Sequence, residues 1–385
     1  MIFFGRNTIM RKKLLSVILS FSVLMLTSCA SGISDQTTAS TQMTANNTTT
    51  QTSQTTTQMQ TTAQTTTSNF IVNNDSYRAL YYIDYTQDYK FDEFIASGGA
   101  SSTKALVEYA YKAFPNINLN LSALGYGCSS FCTQGTDNNI IFGRNFDIDT
   151  ANSSSYLIVH TKPENGYESY STVNLKFLGI TTPKEPGDNT SPLLLSPYVP
   201  LDGINSEGLA ICVLQLNFPE IHETGNGVDM TSTTIIRNIL DNAKNVEEAV
   251  AIFQSCNLHT DGYAYHYMVG DASGNSAIIE FVNNEMVVEY KTEKVQVCAN
   301  SFVTDQGIAF YNDTKNTDSL NRMNAIANSI QANSADLTTE KAFLALKSAS
   351  NSNTRWSIVY NLSKKTMDIA INQKFDKIYS YSFNK

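Results

Sequence analysis

The sequence predicts an α+β fold in which β-sheets are stacked with layers of helices. Segments with alternating apolar residues, which are typical of strands, follow one another in runs from residue 129 onward. Segments with the apolar spacing of helices lie between these runs in pairs. A doubly wound parallel sheet would need strands and helices that alternate one by one. The observed order therefore favours stacked sheets with helical layers.

The individual elements are predicted from their apolar spacing and from the residues at their ends. The first helix has Ser101 or Ser102 as a suitable N-cap and ends at Pro115. A later helix begins after Asn245, which caps it, with Glu248 three residues on. In chain order, the predicted elements are a helix over 103–114, strands over 129–133, 139–145 and 209–217, helices over 232–241 and from 246, strands over 265–269, 276–281, 285–290 and 295–300, helices over 318–330 and 339–347, and a closing hairpin of strands over 355–361 and 366–371.

Composition and charge exclude some classes of protein. The 385 residues carry a net charge of −9 and lack the basic excess that binding to nucleic acid requires. Six cysteines are too few for a disulfide scaffold, and no CxxC or Cys/His cluster indicates structural zinc. The four histidines lack metal-ligand spacing and are expected to pack or to face solvent: His160, His222, His259 and His266. We therefore expect a folded protein without a cofactor.

The beginning of the chain has the pattern of a bacterial secretion signal. A basic run precedes an apolar run over 14–26, which is shorter than the ~20 residues of a membrane-spanning helix. The ending at Cys29 resembles a lipobox, in which the Cys is acylated and becomes the mature N-terminus. An ordinary signal peptide with a chance Cys is the alternative, and Met10 begins a more typical signal than Met1. We expect 1–28 to be a lipoprotein signal peptide and Cys29 to anchor the protein to a membrane of the cell envelope, outside the cytoplasm.

The anchor is followed by a segment with the composition of a disordered linker, 29–69. Between positions 36 and 68, 16 of 33 residues are Thr, and none is charged or aromatic. Such a stretch cannot bury enough apolar surface to offset its ordering entropy. Residues 70–385 have no second linker, so we interpret them as one globular unit.

Residues capable of chemistry are concentrated in the first predicted hairpin. Its expected register places Cys128 opposite residues 144–145, with Asp147 just past the start of the first strand. A cation beside a thiol favours the thiolate, so Arg144 would lower the pKa of Cys128. Asp147 could hold an ammonium group if the chain began at Cys128. The alternative is that Cys128 and Cys132 are small buried residues and that the charged residues form a structural pair.

This hairpin resembles the choloylglycine hydrolase, or linear amide C–N hydrolase, group of N-terminal-nucleophile enzymes. In that family an autoprocessed N-terminal Cys is followed 16 residues later by Arg and 19 later by Asp, the spacing of Cys128, Arg144 and Asp147 here. Gly127 precedes Cys128 at the position where the family is cleaved. Cys132 is a competing nucleophile because it is followed by Thr, as in bile salt hydrolases, but it lies only 12 and 15 residues before the two charged residues.

The resemblance continues to about residue 372. Asn217, in Leu-Asn-Phe-Pro, matches a family residue that lines the oxyanion hole, and 266–280 resembles the central hairpin. Asn300 lies where the family has a second active-site Asn, and Arg322 matches a late helical Arg with less flanking identity.

The family implies a four-layer αββα sandwich with two stacked antiparallel sheets. It also implies a pro-segment, 70–127, and a catalytic domain, 128–385, separated by autocleavage between Gly127 and Cys128. The pro-segment would carry the lipid, so cleavage would release the catalytic domain unless the two stay packed together. The apolar face of the first predicted helix suggests that they stay packed.

The resemblance implies a mechanism as well. The freed α-amine would act as base and later as acid, and the Cys128 thiolate would attack an amide carbonyl. Asn217 would stabilise the oxyanion, Asp147 and Asn300 would orient the amine and the intermediate, and Arg144 would tune the thiolate. Water would then release the acid from the thioester.

The expected function is therefore hydrolysis of linear amide bonds in small N-acyl compounds by a lipid-anchored enzyme. Bile salts, aromatic amides, N-acyl amino acids and fatty N-acyl amides remain possible substrates. Two alternatives are a ligand-binding surface lipoprotein without turnover and an acyltransferase that uses the same thioester. The remaining cysteines are expected to be buried thiols, although secretion permits a disulfide: Cys212, Cys256 and Cys298.

Overall fold

The structure is a computed structural model that describes residues 79–115, 117–119, 126–149, 155–180, 190–314 and 316–383. The predicted signal peptide, the lipidation site at Cys29, the linker and the first residues of the pro-segment lie outside the described residues. Among the described residues, no helix combines the length and the apolar character needed to cross a membrane.

The described part of the chain contains sixteen strands and seven α-helices, joined by short 3-10 helices and loops. In chain order they are β1 (Leu80–Tyr85), α1 (Phe91–Ala96), α2 (Thr103–Ala113), β2 (Gly127–Gln134), β3 (Ile140–Asp147), β4 (Tyr156–Thr161), β5 (Ser169–Asn174), β6 (Asp202–Asn205), β7 (Ala210–Leu216), β8 (Val228–Thr231), α3 (Thr234–Asn242), α4 (Val246–Ser255), β9 (Cys256–His259), β10 (Ala264–Gly270), β11 (Ser276–Val282), β12 (Glu285–Tyr290), β13 (Val295–Cys298), α5 (Asp305–Tyr311), α6 (Thr317–Ala332), α7 (Thr339–Ser348), β14 (Thr354–Asn361), β15 (Thr366–Ile371) and β16 (Ile378–Ser382).

Two large sheets form the centre of the molecule. One has eight strands in the order β1-β4-β5-β6-β7-β10-β11-β12, and the other has six in the order β13-β2-β3-β14-β15-β16. All neighbours in these two sheets are antiparallel except β1 and β4, which are parallel. Strands β8 and β9 form a separate parallel pair.

The sheets stack face to face between two helical layers. Strands β2 and β7 pack against each other between the sheets, α3 and α4 cover the eight-stranded sheet, and α6 and α7 cover the six-stranded sheet. Every residue of β7, β10 and β3 is buried, because each sheet is covered on both faces. The expected αββα arrangement is confirmed, with the parallel strand β1 as an addition.

Alternation along β2 and β3 decides which side chains face the other sheet. Phe131 and Ile141 pack under α6 and α7, whereas Cys128, Cys132 and Phe142 face the eight-stranded sheet. Because side chains alternate with a period of two, Arg144 lies on the same face as Cys128. The side chains of Cys128 and Arg144 therefore point into the space between the two sheets.

The predicted register of this hairpin was wrong by one to two residues. Cys128 pairs with Phe146, and Arg144 pairs with Ser130. The turn comprises residues 135–139 instead of the expected 134–138, and Asp137 and Asn138 within it both adopt the left-handed backbone conformation. The hairpin is consequently centred on residue 137.

Several elements were not predicted from the sequence. Strand β5 illustrates the reason, since its buried face is built largely from Ser and Thr and shows no apolar alternation. The predicted closing hairpin is not the end of the sheet, because β16 pairs with β15 at its edge. The unpredicted elements are β1, β4, β5, β6, β8, β9, β16, α1 and α5.

The described part of the predicted pro-segment is built into the fold. Strand β1 extends the eight-stranded sheet, and α2 begins at its N-cap Ser102, as predicted. Tyr198 Oη donates a hydrogen bond to the backbone oxygen of Tyr89 (2.6 Å), and the hydroxyl of Tyr89 bonds to Asp241 (2.8 Å). The side chain of Phe94 is buried against Tyr198 and Tyr109.

Candidate active site

Cys128 is buried at the beginning of β2, between the two sheets. Arg144 Nη2 donates a hydrogen bond to its Sγ at 3.1 Å. Burial raises the pKa of the Cys128 thiol, and the charge and hydrogen bond of Arg144 lower it by less. Arg144 therefore lowers this pKa as expected, but the pKa still lies above its ordinary value, because the cost of burying a thiolate exceeds the effect of the cation.

The guanidinium of Arg144 is fully buried and is held by the eight-stranded sheet. Nη2 also donates to the backbone oxygen of Val213 (2.8 Å), and Nη1 donates to that of Leu201 (2.5 Å) and to the carboxylate of Asp202. A buried cation needs such a counter-ion to offset its lost hydration.

Asp202 was not identified from the sequence. Its carboxylate accepts further hydrogen bonds from Thr172 Oγ1 (2.5 Å), Trp356 Nε1 (3.1 Å) and Tyr360 Oη (2.6 Å). It stands in the mixed segment Leu201-Asp-Gly-Ile-Asn205, in which neither a motif nor an apolar periodicity indicated it. Asp202 fixes the guanidinium that faces the thiol.

Asp147 is buried at the end of β3, directly opposite Gly127. Its carboxylate accepts hydrogen bonds from Thr354 Oγ1 (2.6 Å) and Asn351 Nδ2 (3.1 Å), and Arg322 Nη1 lies 3.7 Å away. Burial raises the pKa of Asp147, against the opposing effects of these neighbours. Asn351 and Thr354 were not singled out by the sequence.

Asn300 contacts the backbone nitrogen that cleavage would free. Its Oδ1 accepts a hydrogen bond from Cys128 N (2.8 Å) and another from Arg322 Nη2 (2.9 Å). Its Nδ2 donates to the backbone oxygen of Gln215 (2.7 Å). Both ends of the Asn300 side-chain amide are therefore held, and its Oδ1 points at the backbone nitrogen of Cys128.

Arg322, on α6, reaches the same residue from the other side. Its Nη1 donates to the backbone oxygen of Cys128, and its Nε bonds to Asp318 (2.9 Å) one helical turn away. The structure thus brings Cys128, Arg144, Asp147, Asn300 and Arg322 together.

Asn217 lies at the edge of this group. It is exposed just beyond β7, and its Oδ1 accepts a hydrogen bond from Gln215 Nε2 (3.1 Å). It lines a cavity of about 590 Å³ together with Gly127, Asp147 and Asn300. This cavity is the solvent-facing entrance to the site.

Gln215 was not predicted from the sequence, and it contacts three parts of the site. Its backbone oxygen binds Asn300, its Nε2 binds Asn217, and its Oε1 accepts a hydrogen bond from Tyr126 N (2.7 Å). A polar residue at the end of the apolar strand β7 was the available signal.

A buried pair supports the loop that carries Asn300. His266 Nε2 lies 2.6 Å from the backbone oxygen of Ala299, and its Nδ1 lies 3.1 Å from Glu280 Oε1. Glu280 also accepts hydrogen bonds from Val303 N (2.8 Å) and Thr304 Oγ1 (2.5 Å). These contacts hold the loop on both sides of the active-site amide.

The other histidines lie away from Cys128. His160 is placed between Asp84 and Glu168, with both nitrogens 2.7 Å from a carboxylate oxygen. His222 and His259 face each other, with their Nδ1 atoms 3.4 Å apart. Within the described ranges, no three side chains of His, Cys, Asp or Glu are grouped so that they could hold a metal ion.

The competing cysteine occupies a different environment. Cys132 is buried in the core beside Gly270, and burial raises the pKa of its thiol to about 11. Of the other described cysteines, Cys212 and Cys298 are buried, whereas Cys256 is partly exposed, which corrects the expectation that all three are buried. All five cysteines of the described residues are free thiols.

Comparison with known proteins adds three findings. The model of a family described as acyl-coenzyme A:6-aminopenicillanic acid acyl-transferase matches residues 133–377. A penicillin V acylase of Pectobacterium atrosepticum is 31% identical over 117 residues, which are 27% of this chain. The match covers 31% of that protein, so the chain spans about a third of the length of the curated relative it matches.

Two solved structures match about two thirds of the chain. The penicillin V acylase of Agrobacterium tumefaciens has a TM-score of 0.48 at 18% identity, over 67% of this chain and 87% of that one. A mutant conjugated bile acid hydrolase of Clostridium perfringens has a TM-score of 0.47 at 15% identity, over 67% of this chain and 92% of that one.

Proposed function

Because the chain belongs to the acyl-coenzyme A:6-aminopenicillanic acid acyl-transferase family, we propose that it is an amide hydrolase with Cys128 as nucleophile, activated by cleavage after Gly127. The expected relationship to the choloylglycine hydrolase group of N-terminal-nucleophile enzymes is confirmed at the level of the family. The family match begins five residues after Cys128, so the assignment of the nucleophile rests on geometry.

One observation supports this proposal above the others. The sulfur and the backbone nitrogen of Cys128 each have a side-chain hydrogen-bond partner, Arg144 Nη2 at 3.1 Å and Asn300 Oδ1 at 2.8 Å. A purely structural Cys has no need of a buried guanidinium at its sulfur. The arrangement matches a residue whose thiol and amine both take part in the reaction.

Cleavage proceeds through an acyl shift. The Cys128 thiol attacks the carbonyl carbon of Gly127, the bond from that carbon to the Cys128 nitrogen breaks, and the nitrogen takes up the thiol proton. Water then attacks the thioester, the bond from carbon to sulfur breaks, and Gly127 leaves as a carboxylate. The products are a free thiol and a free α-amine on one residue.

The new α-amine is the base for the amide substrate. An α-amino group has a pKa of about 8 and can exchange a proton near neutral pH. Asn300 Oδ1 accepts from this nitrogen before cleavage, and Asp147 lies opposite the adjacent Gly127. These two groups orient the amine, and Arg322 holds the carbonyl of the same residue.

In the substrate reaction the thiolate attacks the amide carbonyl, and the amine protonates the departing nitrogen. Asn217, in the wall of the entrance cavity, supplies a hydrogen bond to the oxyanion, which is worth about 3 kcal/mol. Arg144 stabilises the thiolate. Departure of the cleaved end of the pro-segment exposes the sulfur to more water, so forming the thiolate costs less free energy than in the uncut chain. Water releases the acid and regenerates the thiol.

Acyl transfer to an amine is the second candidate, because the matched family is described as an acyl-transferase. The same thioester serves both reactions, and the difference lies in whether water or an amine attacks it. Incubation of the cleaved protein with an N-acyl amide and a second amine separates them. An exchanged amide as the main product favours transfer, and the free acid favours hydrolysis.

The mature protein is proposed to consist of two chains that remain together on a membrane of the cell envelope. Strand β1 and the buried ring of Phe94 anchor the pro-segment after cleavage. Lipid on Cys29 would then hold both chains at the membrane. Labelling cells with a radioactive fatty acid tests this anchor, with Cys29→Ser as the unlabelled control, and an unlabelled wild-type chain would contradict it.

Intact mass and N-terminal sequencing of the purified protein test the nucleophile. We expect two chains, the second beginning at Cys128. Cys128→Ala should give one uncut chain, whereas the matched control Cys132→Ala should be cleaved as usual. A wild-type chain that stays uncut, with Cys128 inert to thiol reagents, would exclude the proposal.

A panel of N-acyl amides tests the chemistry. Cleaved wild-type protein should release the amine, and Asn217→Ala should do so about 100-fold more slowly if Asn217 contacts the oxyanion. Asn324→Ala is a matched control, since Asn324 is exposed on α6 and is expected to leave the rate unchanged.

A further inference from the structure

The aromatic ring that precedes the cleavage site occupies a slot beside the nucleophile. Tyr126 is only 7% exposed, and its ring lies 5.3 Å from Phe146, 5.5 Å from Tyr265 and 6.1 Å from Phe177, measured between centroids. Three aromatic neighbours around one ring form a site shaped for a flat apolar group.

One wall of this slot is rigid, and one carries a polar group. Phe146 is stacked on Trp356 with ring centroids 4.0 Å apart and planes 8° apart, so its position is fixed by the core. The ring of Tyr265 stacks on Tyr126 with planes 26° apart, and Tyr265 carries a hydroxyl group. The slot therefore offers flat aromatic walls and a phenol ring on one side.

The backbone at Tyr126 and Gly127 is held by a side-chain hydrogen bond and by strand pairing. Gln215 Oε1 accepts a hydrogen bond from Tyr126 N at 2.7 Å, and Gly127 lies opposite Asp147 in the register of β2 and β3. The segment therefore passes from the slot to Cys128 along a defined path.

The chemistry of cleavage makes this segment the first acyl group of the site. The carbonyl of Gly127 becomes the thioester on Cys128, and the ring follows through five atoms: Cα and N of Gly127, and C, Cα and Cβ of Tyr126. In a planar thioester, the positions of the sulfur and the oxygen fix the direction of the third bond at the carbonyl carbon. A substrate thioester on the same Sγ, with its oxygen in the same position, therefore points its acyl chain along the same path.

Cleavage also empties the slot. Hydrolysis of the thioester leaves a carboxylate at Gly127, directly opposite the carboxylate of Asp147. Two carboxylates on directly opposed residues repel each other, because a partly buried site screens their charges less than water does. The end of the pro-segment is thus driven away, while β1 and its neighbours stay in place.

We propose that the mature site selects acyl groups in which an aromatic ring is joined to the scissile carbonyl through about five atoms. The pro-segment acts as the template, with Tyr126 in the place of the substrate ring. This inference rests on the proposed function. It distinguishes arylalkanoyl groups with a long spacer from short arylacetyl groups and from saturated chains.

A matched set of p-nitroanilides tests the proposal with the cleaved protein. The acyl groups are 6-(4-hydroxyphenyl)hexanoyl, whose spacer has five atoms, phenylacetyl, whose spacer has one, and undecanoyl, a saturated chain of similar length. We expect kcat/KM to be at least tenfold higher for the first than for either of the others. Equal or reversed preference with clear release of p-nitroaniline would overturn this inference and leave the proposed function standing.

Variants of the slot provide a second measurement. Phe177→Ala should lower kcat/KM for the long aromatic substrate about tenfold, mainly through KM, and Phe177→Leu should restore part of it. The ratio of long aromatic to undecanoyl rates should fall in Phe177→Ala, and an unchanged ratio would overturn the inference. If the cleaved wild-type protein hydrolysed none of the three amides although Cys128 was open to alkylation, the proposed function would be overturned instead.

Discussion

Arg144 Nη2 donates a hydrogen bond to Cys128 Sγ at 3.1 Å, although the two residues are not paired across the hairpin. Cys128 pairs with Phe146 and Arg144 with Ser130, so the arginine reaches the thiol diagonally on one face of the sheet. The long side chain of Arg144 extends toward the second sheet, where its guanidinium forms an ion pair with the carboxylate of Asp202. The contact therefore depends on both sheets, and several consequences can be measured.

The thiol of the uncut chain is expected to be unreactive at neutral pH. A Cβ on Gly127 would lie 3.3 Å from Cβ of Asp147, so Gly127→Val should block cleavage and preserve the uncut state. Burial raises the pKa of Cys128 above its ordinary value of 9.0, so alkylation by iodoacetamide should be slow at pH 7 and accelerate above pH 9. The double variant Gly127→Val, Cys128→Ala measures the background from other thiols. Rapid alkylation of Cys128 at pH 6 would contradict the expected protonation.

Loss of the counter-ion of Arg144 should destabilise the fold. In Asp202→Ala the guanidinium stays buried without its carboxylate, and breaking such a pair costs about 3–5 kcal/mol. Urea unfolding measures this loss. Glu289→Ala, at an exposed position on β12, is the matched control and should change the free energy of unfolding by no more than about 0.5 kcal/mol. Equal effects of the two substitutions would show that Arg144 does not depend on Asp202.

The pair that supports the Asn300 loop should make stability depend on acid pH. Burial alone would raise the pKa of Glu280, but hydrogen bonds from His266, Thr304 and Val303 lower it below the ordinary value of 4.5. Its contribution to stability is thus complete above pH 4.5 and is lost as the pH falls through the lower folded-state pKa. Thermal unfolding between pH 3 and pH 7 should show a steeper acid loss for the wild type than for Glu280→Gln. Parallel curves would rule out this carboxylate as the source.

The two chains of the cleaved protein are expected to remain associated through aromatic packing. Phe94, in the proposed pro-segment, is fully buried against Tyr198 of the catalytic chain and Tyr109 of its own segment, and removal of such a ring costs about 3–5 kcal/mol. Size-exclusion chromatography should show one complex for the wild type and partial dissociation for Phe94→Ala. Phe310→Ala is the control, because that ring is 57% exposed. A pro-segment that separates from the wild-type protein after cleavage would refute this expectation.

Local signals determined which elements could be predicted. The helices with caps and apolar faces, such as α2 and α4, were predicted to within a few residues, because their N-caps Ser102 and Asn245 act on neighbouring residues. Strands β5 and β6 were not, because burial of their Ser, Thr and Asp side chains depends on partners far away in the chain. The register of the central hairpin was also wrong, since the backbone of Asp137 and Asn138 sets the turn.

The sequence by itself determined the α+β class, the spacing that relates Cys128 to Arg144 and Asp147, and the family to which the chain belongs. Hairpin spacing and helix periodicity are properties of neighbouring residues and can therefore be derived without coordinates. Only the tertiary structure decided that Asp202 neutralises Arg144, that Gln215 joins Asn217 to Asn300, and that the ring of Tyr126 packs among aromatic side chains beside Cys128. Each of these contacts joins elements from separate parts of the chain, and their positions are set by how the two sheets and the pro-segment pack against one another.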